Sequence, residues 1–134
     1  VSRIDGDVVS YDVRMKKPNG GDYLESPAMH TFEHLFATYA RNSTLSDQVI
    51  YVGPMGCRTG FYFLTRDTVS HPEAIAVVRD SMSFIADYEG EIPGVSRKEC
   101  GNYLEHDLAT AKEIAADMAL VLANWQESDL MYKE

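Results

Sequence analysis

An apolar stripe at helical spacing follows the dipeptide Ser26-Pro27, and it constrains the fold of this chain more than any other feature. Ser is a favoured helix cap and Pro is tolerated in the first turn, so the pattern predicts a helix from here to about Asn42. Its large apolar side chains recur every three or four residues: Met29, Phe32, Phe36 and Tyr39. A helix with one apolar face must bury that face against a second layer, which the rest of the chain has to supply.

The remaining pattern predicts a sheet and two further helices. Residues 8–16, 48–53 and 59–66 are rich in β-branched and aromatic residues and indicate strands. Ser70 and Glu73 form a capping-box pattern for a second helix, for which Gly90 is the expected C-terminal cap. Residues 91–103 indicate a loop, and a third helix is predicted over about 107–125. We therefore predict an α+β domain whose three helices cover one side of a sheet.

Length and charge narrow the possible functions. The 134 residues are enough for one domain, taken here as 1–134, with a modest core. The net charge of −9 repels phosphate backbones, so nucleic acid is not an expected partner. No apolar run approaches the roughly 20 residues that span a bilayer, and no signal-peptide pattern begins the chain. We therefore expect a cytoplasmic protein with no membrane partner.

The segment His30-Thr31-Phe32-Glu33-His34 carries the chemistry of the predicted first helix. At about 100° per residue, His30 and His34 lie roughly 40° apart on one face, with Glu33 about 60° to the other side of His30. Two imidazoles one turn apart can bind one metal ion, and a carboxylate beside them can transfer protons. Two alternatives stay open: a solvated polar face, or an inverzincin-type His-x-x-Glu-His metallopeptidase with Glu33 as general base.

The two cysteines, Cys57 and Cys100, can belong to the same kind of site. Cys57 lies between two predicted strands, where the adjacent Arg58 could favour a thiolate; the alternative is a small buried thiol. The thiolate of Cys100 would complete a set of two His and one Cys with an open fourth position, the pattern of a catalytic site. Such ligands suit zinc, iron(II) or cobalt(II). A Cys57–Cys100 disulfide is the remaining alternative.

Three segments in this order, HTFEHLFA (30–37), PMGCRTGFY (54–62) and ECGNYLEHDLATAK (99–112), resemble the S-ribosylhomocysteine lyase family, which makes the precursor of autoinducer-2. Residues 11–20, YDVRMKKPNG, resemble the family's early strand. The resemblance implies an antiparallel sheet covered by helices on one face, in a homodimer with active sites at its interface. It also implies an N-terminal segment that reaches into the partner's site, and we expect this chain to lack it.

The resemblance also implies the metal and its ligands. One divalent metal per chain is held by His30, His34 and Cys100, with iron(II) as the native ion and zinc or cobalt(II) as substitutes. The metal acts as a Lewis acid without changing its oxidation state. A catalytically silent metal-binding module is the third functional alternative, beside the lyase and the peptidase.

The implied substrate is S-ribosylhomocysteine, in which ribose is joined through C5 to the sulfur of homocysteine. Glu33 and Cys57 are the implied acid–base pair, and Arg14 matches a family arginine near the substrate. The carbonyl moves along the sugar from C1 to C3, and β-elimination then releases homocysteine and 4,5-dihydroxy-2,3-pentanedione. Tyr51 and Gly53 depart from the acidic residue and the serine that family members often carry, so substrate contacts there are not carried over.

Two further histidines have no role in this scheme: His71 lies outside the quoted segments, and His106 lies within the third. His71 falls in the first turn of the second predicted helix, where we expect a surface residue. His106 is close to Cys100 in sequence, and we expect it beside the metal ligands rather than among them.

Overall fold

The computed structural model describes residues 1, 3–16, 19–90, 92, 106–123 and 125. Over these residues the chain forms, in order, β1 (Arg3–Asp5), β2 (Val8–Arg14), α1 (Ser26–Asn42), a short 3-10 turn (Ser46–Gln48), β3 (Val49–Pro54), β4 (Gly60–Arg66), α2 (His71–Ala86) and α3 (Leu108–Leu122). The strand order in the sheet is β1-β2-β4-β3, and every adjacent pair is antiparallel. The predicted α+β fold and antiparallel sheet are confirmed, with β1 as an additional strand.

One face of the sheet is buried beneath the helices. Alternate residues of β2 and β4 are buried: Val9, Tyr11, Val13, Phe61, Phe63 and Thr65. Rings of α1 lie directly on this face, with Phe32 at 5.0 Å from Phe61 and Phe36 at 5.9 Å from Phe63 between centroids. α2 and α3 pack against α1 and against each other, and all three helices share one apolar core with the strands. The three helices therefore cover one face, as predicted.

The helix ends follow the sequence signals with two corrections. The capping box of α2 is present, since Ser70 Oγ accepts the Glu73 N–H and the Glu73 carboxylate accepts the Ser70 N–H. Asp87, rather than Gly90, is the C-terminal cap of α2. The predicted Ser26 cap of α1 is also wrong, because Glu25 holds the cap position without a side-chain hydrogen bond. Tertiary contact secures this end instead: Leu24 is buried just before the helix.

α3 is fixed at both ends by polar contacts. The Asp107 carboxylate accepts hydrogen bonds from the Thr110 N–H (3.1 Å) and hydroxyl (2.7 Å) at the start. At the other end, the Arg79 guanidinium of α2 donates to the carbonyls of Leu122 (2.8 Å) and Trp125 (3.0 Å), at and just beyond the end of the helix. Among the helices that the structure describes, none has the length and apolar character required to cross a lipid bilayer.

Candidate active site

The imidazoles of His30 and His34 converge, as their spacing on α1 predicted. Both side chains are half-buried, and their Nε2 atoms lie 3.1 Å apart with the rings at 85° to each other. Two nitrogen ligands of one tetrahedral ion, each about 2.05 Å from it, are about 3.3 Å apart. The observed separation is therefore close to that of two imidazole ligands of one metal ion, and neutral imidazole is a ligand that zinc, iron and cobalt all accept.

A third imidazole, from His106, joins this pair. Its ring stacks on His30 with 4.1 Å between centroids and meets His34 edge-on at 4.9 Å. One ring nitrogen from each of the three histidines lies within 4.8 Å of the others, and among the described residues this is the only group of three or more His, Cys, Asp or Glu side chains that converge so closely. His106 is thus in contact with both predicted ligands, and the cluster indicates a metal site.

Thr31 holds His106 at this position. Its hydroxyl is fully buried, lies 2.9 Å from His106 Nδ1 and accepts the Asp107 N–H at 2.8 Å. Since Asp107 also caps α3, one hydroxyl of α1 fixes the start of α3 and the residue before it against the histidine pair. Sequence reasoning missed Thr31, although its position between the two histidines was the available signal.

Of the other two residues predicted for the metal centre, the structure describes Glu33 but not Cys100. Glu33 is half-buried on α1, three residues after His30, so it flanks His30 about 60° away on the side opposite His34. Cys100, the predicted third ligand, lies outside the residues that the structure describes. Two of the three predicted ligands and the predicted acid–base carboxylate therefore share one helix.

Cys57 is an exposed free thiol in the turn between β3 and β4, so the disulfide alternative is not formed. Its Sγ lies 3.0 Å from Thr59 Oγ1 and 3.6 Å from Arg14 Nη1, and Arg14 also donates to Thr59 Oγ1. The hydrogen bonds of Thr59, and after them the hydrogen bond and charge of Arg14, lower the pKa of the Cys57 thiol. The cation at the sulfur is therefore Arg14, whereas the sequence indicated Arg58.

Backbone contacts fix the shape of this turn. Arg58 has a φ of +59°, its N–H donates to the Met55 carbonyl at 3.0 Å, and the Met55 N–H donates to the Gly60 carbonyl at 2.9 Å. Gly60 pairs with Arg14 of β2, and a Cβ atom at this glycine would lie 2.2 Å from the Val13 carbonyl oxygen. Only glycine allows β2 to approach the turn this closely, and the approach brings Arg14 to the thiol.

A further hydrogen bond ties the thiol turn to the helix of the histidines. The Leu24 N–H donates to the Arg58 carbonyl at 2.8 Å, two residues before α1 begins at Ser26. The turn that carries Cys57 therefore lies against the segment that leads into α1, so the same helix start positions both chemical groups.

The two departures from the family pattern are in contact with each other. A Cβ atom built on Gly53 would lie 1.9 Å from Tyr51 Oη, so the tyrosine side chain lies across the glycine.

His71, expected at the surface, is instead half-buried, with its Nδ1 2.6 Å from the hydroxyl of the buried Tyr11. The surface prediction was wrong because this histidine connects the start of α2 to β2.

These features define an α+β protein with a candidate metal site on a His-x-x-Glu-His helix and a separate exposed thiol whose pKa is lowered. A family model described as S-Ribosylhomocysteinase (LuxS) matches residues 2–129. The chain belongs to this family, which decides between the lyase and the metallopeptidase in favour of the lyase.

Several relatives described as S-ribosylhomocysteine lyase support the assignment. The protein of Phocaeicola vulgatus is 44% identical over 127 residues, covering 93% of this chain and 79% of the relative. That of Clostridium acetobutylicum is 40% identical over 139 residues, covering 100% of this chain and 88% of the relative. That of Porphyromonas gingivalis is 46% identical over 111 residues, covering 81% and 70% respectively.

Proposed function

We propose that this S-ribosylhomocysteine lyase cleaves its substrate between the histidines of α1 and the thiol of the β3–β4 turn. The observation that carries the proposal is the 3.1 Å approach of His30 Nε2 to His34 Nε2 on the helix that also presents Glu33. The activated Cys57 thiol provides a second proton-transfer group in a turn that contacts the start of that helix. The products are homocysteine and 4,5-dihydroxy-2,3-pentanedione, the precursor of autoinducer-2.

The metal ligands are part of the same proposal. His30 and His34 supply two nitrogens and, by family resemblance, Cys100 supplies a sulfur, a three-ligand set typical of catalytic sites. Iron(II) is the proposed native ion, with zinc or cobalt(II) as substitutes. When bound, the ion supplies Lewis-acid stabilisation of negative charge on the oxygens of the sugar. His106 is the competing third donor, because its ring already contacts both histidines.

Proton transfer at the sugar is assigned to two side chains. The Cys57 thiolate removes a proton from a ribose carbon and, as the thiol, returns it to the neighbouring carbon, while the Glu33 carboxylate serves as the second acid–base group. Repeating this exchange moves the carbonyl from C1 to C3. Loss of the C4 proton to one of these two bases then forms the C4–C5 double bond, and the C5–S bond breaks with its electron pair leaving on the homocysteine sulfur, which takes up a proton. The resulting enol tautomerises to 4,5-dihydroxy-2,3-pentanedione.

Arg14 has a more local role in this proposal than the family resemblance implied. Its guanidinium contacts Cys57 Sγ and Thr59 Oγ1 and lies 3.9 Å from the Asp12 carboxylate. Its Nη1 group therefore holds the thiol and the Thr59 hydroxyl, and its exposed position leaves the other N–H donors for substrate oxygens.

The assembly and location of the enzyme follow from the resemblance. We propose a single lyase domain over residues 1–134 and a homodimer with active sites at its interface. The sheet face away from the helices exposes Tyr51 (46%) and Tyr62 (40%), which are residues that protein interfaces favour. A free nucleophilic thiol suits a reducing compartment, so we expect the enzyme in the bacterial cytoplasm. Sedimentation at several protein concentrations tests the dimer.

The test of the proposed function is metal analysis coupled to thiol release from S-ribosylhomocysteine. The parent protein should release homocysteine, whereas Cys57→Ala and Glu33→Gln should retain metal and lose at least 100-fold in rate, as general acid–base groups typically contribute roughly 10²–10⁴. Glu89→Gln, at an exposed glutamate after α2, is the matched control and should keep the parent rate. Parent-like homocysteine release by Cys57→Ala would remove that residue from the mechanism.

A further inference from the structure

We propose that Thr59 is a positioning residue for the reaction, whose buried hydroxyl accepts the Arg14 hydrogen bond and donates its own to Cys57 Sγ. The proposal rests on the proposed role of Cys57 as a proton-transfer group. Neither a sequence motif nor the ligand geometry of the metal centre assigns a function to this threonine.

The burial of Thr59 differs from that of both its partners. Thr59 is 1% exposed, whereas Cys57 and Arg14 are both exposed. Its carbonyl accepts the N–H groups of Met15 at 2.9 Å and Lys16 at 3.0 Å, so the two residues that follow β2 hold its backbone. A β-branched side chain on a fixed backbone has few rotamers. The hydroxyl is therefore a rigid element between two side chains that solvent would otherwise leave mobile.

The chemistry of the three groups sets the direction of the hydrogen bonds. A guanidinium has only donors, so Thr59 Oγ1 must accept from Arg14 Nη1. The single hydroxyl proton then remains for Cys57 Sγ at 3.0 Å. A hydrogen bond donated to sulfur favours the thiolate over the thiol, and it also orients the thiolate lone pairs.

Within the described part of the chain, Arg14 is the charged group in contact with the Cys57 thiol. Arg14 of β2 faces Cys57 Sγ at 3.6 Å, and the carboxylate of Asp12 lies 3.9 Å from the same guanidinium. Thr59 is the first of the two groups that lower the pKa of Cys57, ahead of the Arg14 charge. Both groups therefore favour the thiolate form of Cys57, and each lies within contact distance of Sγ.

The experiment compares Thr59→Val, which keeps the shape and loses the hydroxyl, with Thr59→Ser, which keeps the hydroxyl. Alkylation of Cys57 by iodoacetamide is followed by mass spectrometry across a pH series in the metal-loaded protein, together with homocysteine release. We expect Thr59→Val to move the alkylation midpoint up towards the ordinary thiol value of about 8.5. We also expect roughly tenfold lower kcat with little change in KM, and parent-like behaviour of Thr59→Ser.

The outcomes separate this proposal from the proposed function. A parent-like alkylation midpoint in Thr59→Val would overturn the role of Thr59, whatever the lyase rate. Parent-like turnover by Cys57→Ala would instead overturn the proposed function. The alkylation midpoint of Thr59→Val would then still report whether Thr59 favours the thiolate of Cys57. If Thr59→Val does not fold, Thr59→Ala replaces it, and its alkylation midpoint is compared with that of the parent in the same way. A shifted midpoint that Thr59→Ser restores supports the proposal.

Discussion

Substituting Gly60 with alanine tests whether the close approach of β2 to the thiol turn determines catalysis. The added Cβ would lie 2.2 Å from the Val13 carbonyl oxygen, and other atoms of the same strand would lie within 3.0 Å. Ordinary carbon–oxygen contacts begin near 3.3 Å, so β2 and the turn must separate by about 1 Å. That movement carries Arg14 away from the Cys57 thiol, because Arg14 is the register partner of Gly60.

The size of the expected effect follows from that displacement. Forcing an extra carbon into a packed site costs about 1–3 kcal/mol of the free energy of unfolding. For a chain of this size each kcal/mol lowers Tm by roughly 3–5 °C. A displacement of about 1 Å at a catalytic group can reduce the rate by about 100-fold, so the loss in kcat/KM should exceed what unfolding at the assay temperature explains.

The assay compares Gly60→Ala with Gly56→Ala by homocysteine release, thermal unfolding and metal content. Gly56 lies in the same turn, and a Cβ there meets no atom within 4 Å, so this control should retain the parent rate and Tm. Both variants should hold metal, since His30 and His34 are on α1. Equal activity of the two variants would refute the argument that strand approach sets the thiol geometry.

Two other expectations concern the third ligand and the titration of the thiol. Cys100→Ala should lose most bound metal in elemental analysis, whereas His106→Ala should keep it; the reverse pattern would indicate a three-histidine site. The Thr59 hydrogen bonds, and then Arg14, lower the pKa of Cys57, so alkylation of the folded protein should reach half its maximum at a lower pH than in urea. The matching stability contribution is present above the pKa of the unfolded thiol and is lost as the pH falls through the folded pKa, so coincident alkylation midpoints would contradict the shift.

The main elements of the fold could be predicted because each has a local signal. Three such signals depend only on residues close in sequence: the alternating burial in β2 and β4, the apolar stripe of α1 and the capping box of α2. β1 was missed because it has three residues at the sheet edge, and its Ile4 is 64% exposed, so no burial pattern marks it. The start of α1 was misassigned because a tertiary contact, that of Leu24 with the thiol turn, replaces the cap.

In the candidate site, too, the local contacts could be predicted from the sequence and the long-range contacts could not. His30, Glu33 and His34 could be predicted together because one helix turn brings them together, whatever the rest of the chain does. The contact of Arg14 with Cys57 spans 43 residues and depends on strand register and on a glycine that tolerates close approach. Sequence therefore suggested the adjacent Arg58 as the cation, because periodicity along one segment carries no information about which strand lies beside it.

The hydroxyl of Thr31 joins parts of the chain that are 75 residues apart. Closing a loop of that length has an entropy cost that only the contacts of the assembled core offset. A partly folded chain would therefore have His30 and His34 paired on α1 without His106 beside them. Docking of α3 therefore completes the contact of His106 with the histidine pair. An ion held by His30, His34 and Cys100 would in turn link α1 to the sequence that leads to α3, and its removal should loosen α3 before the sheet.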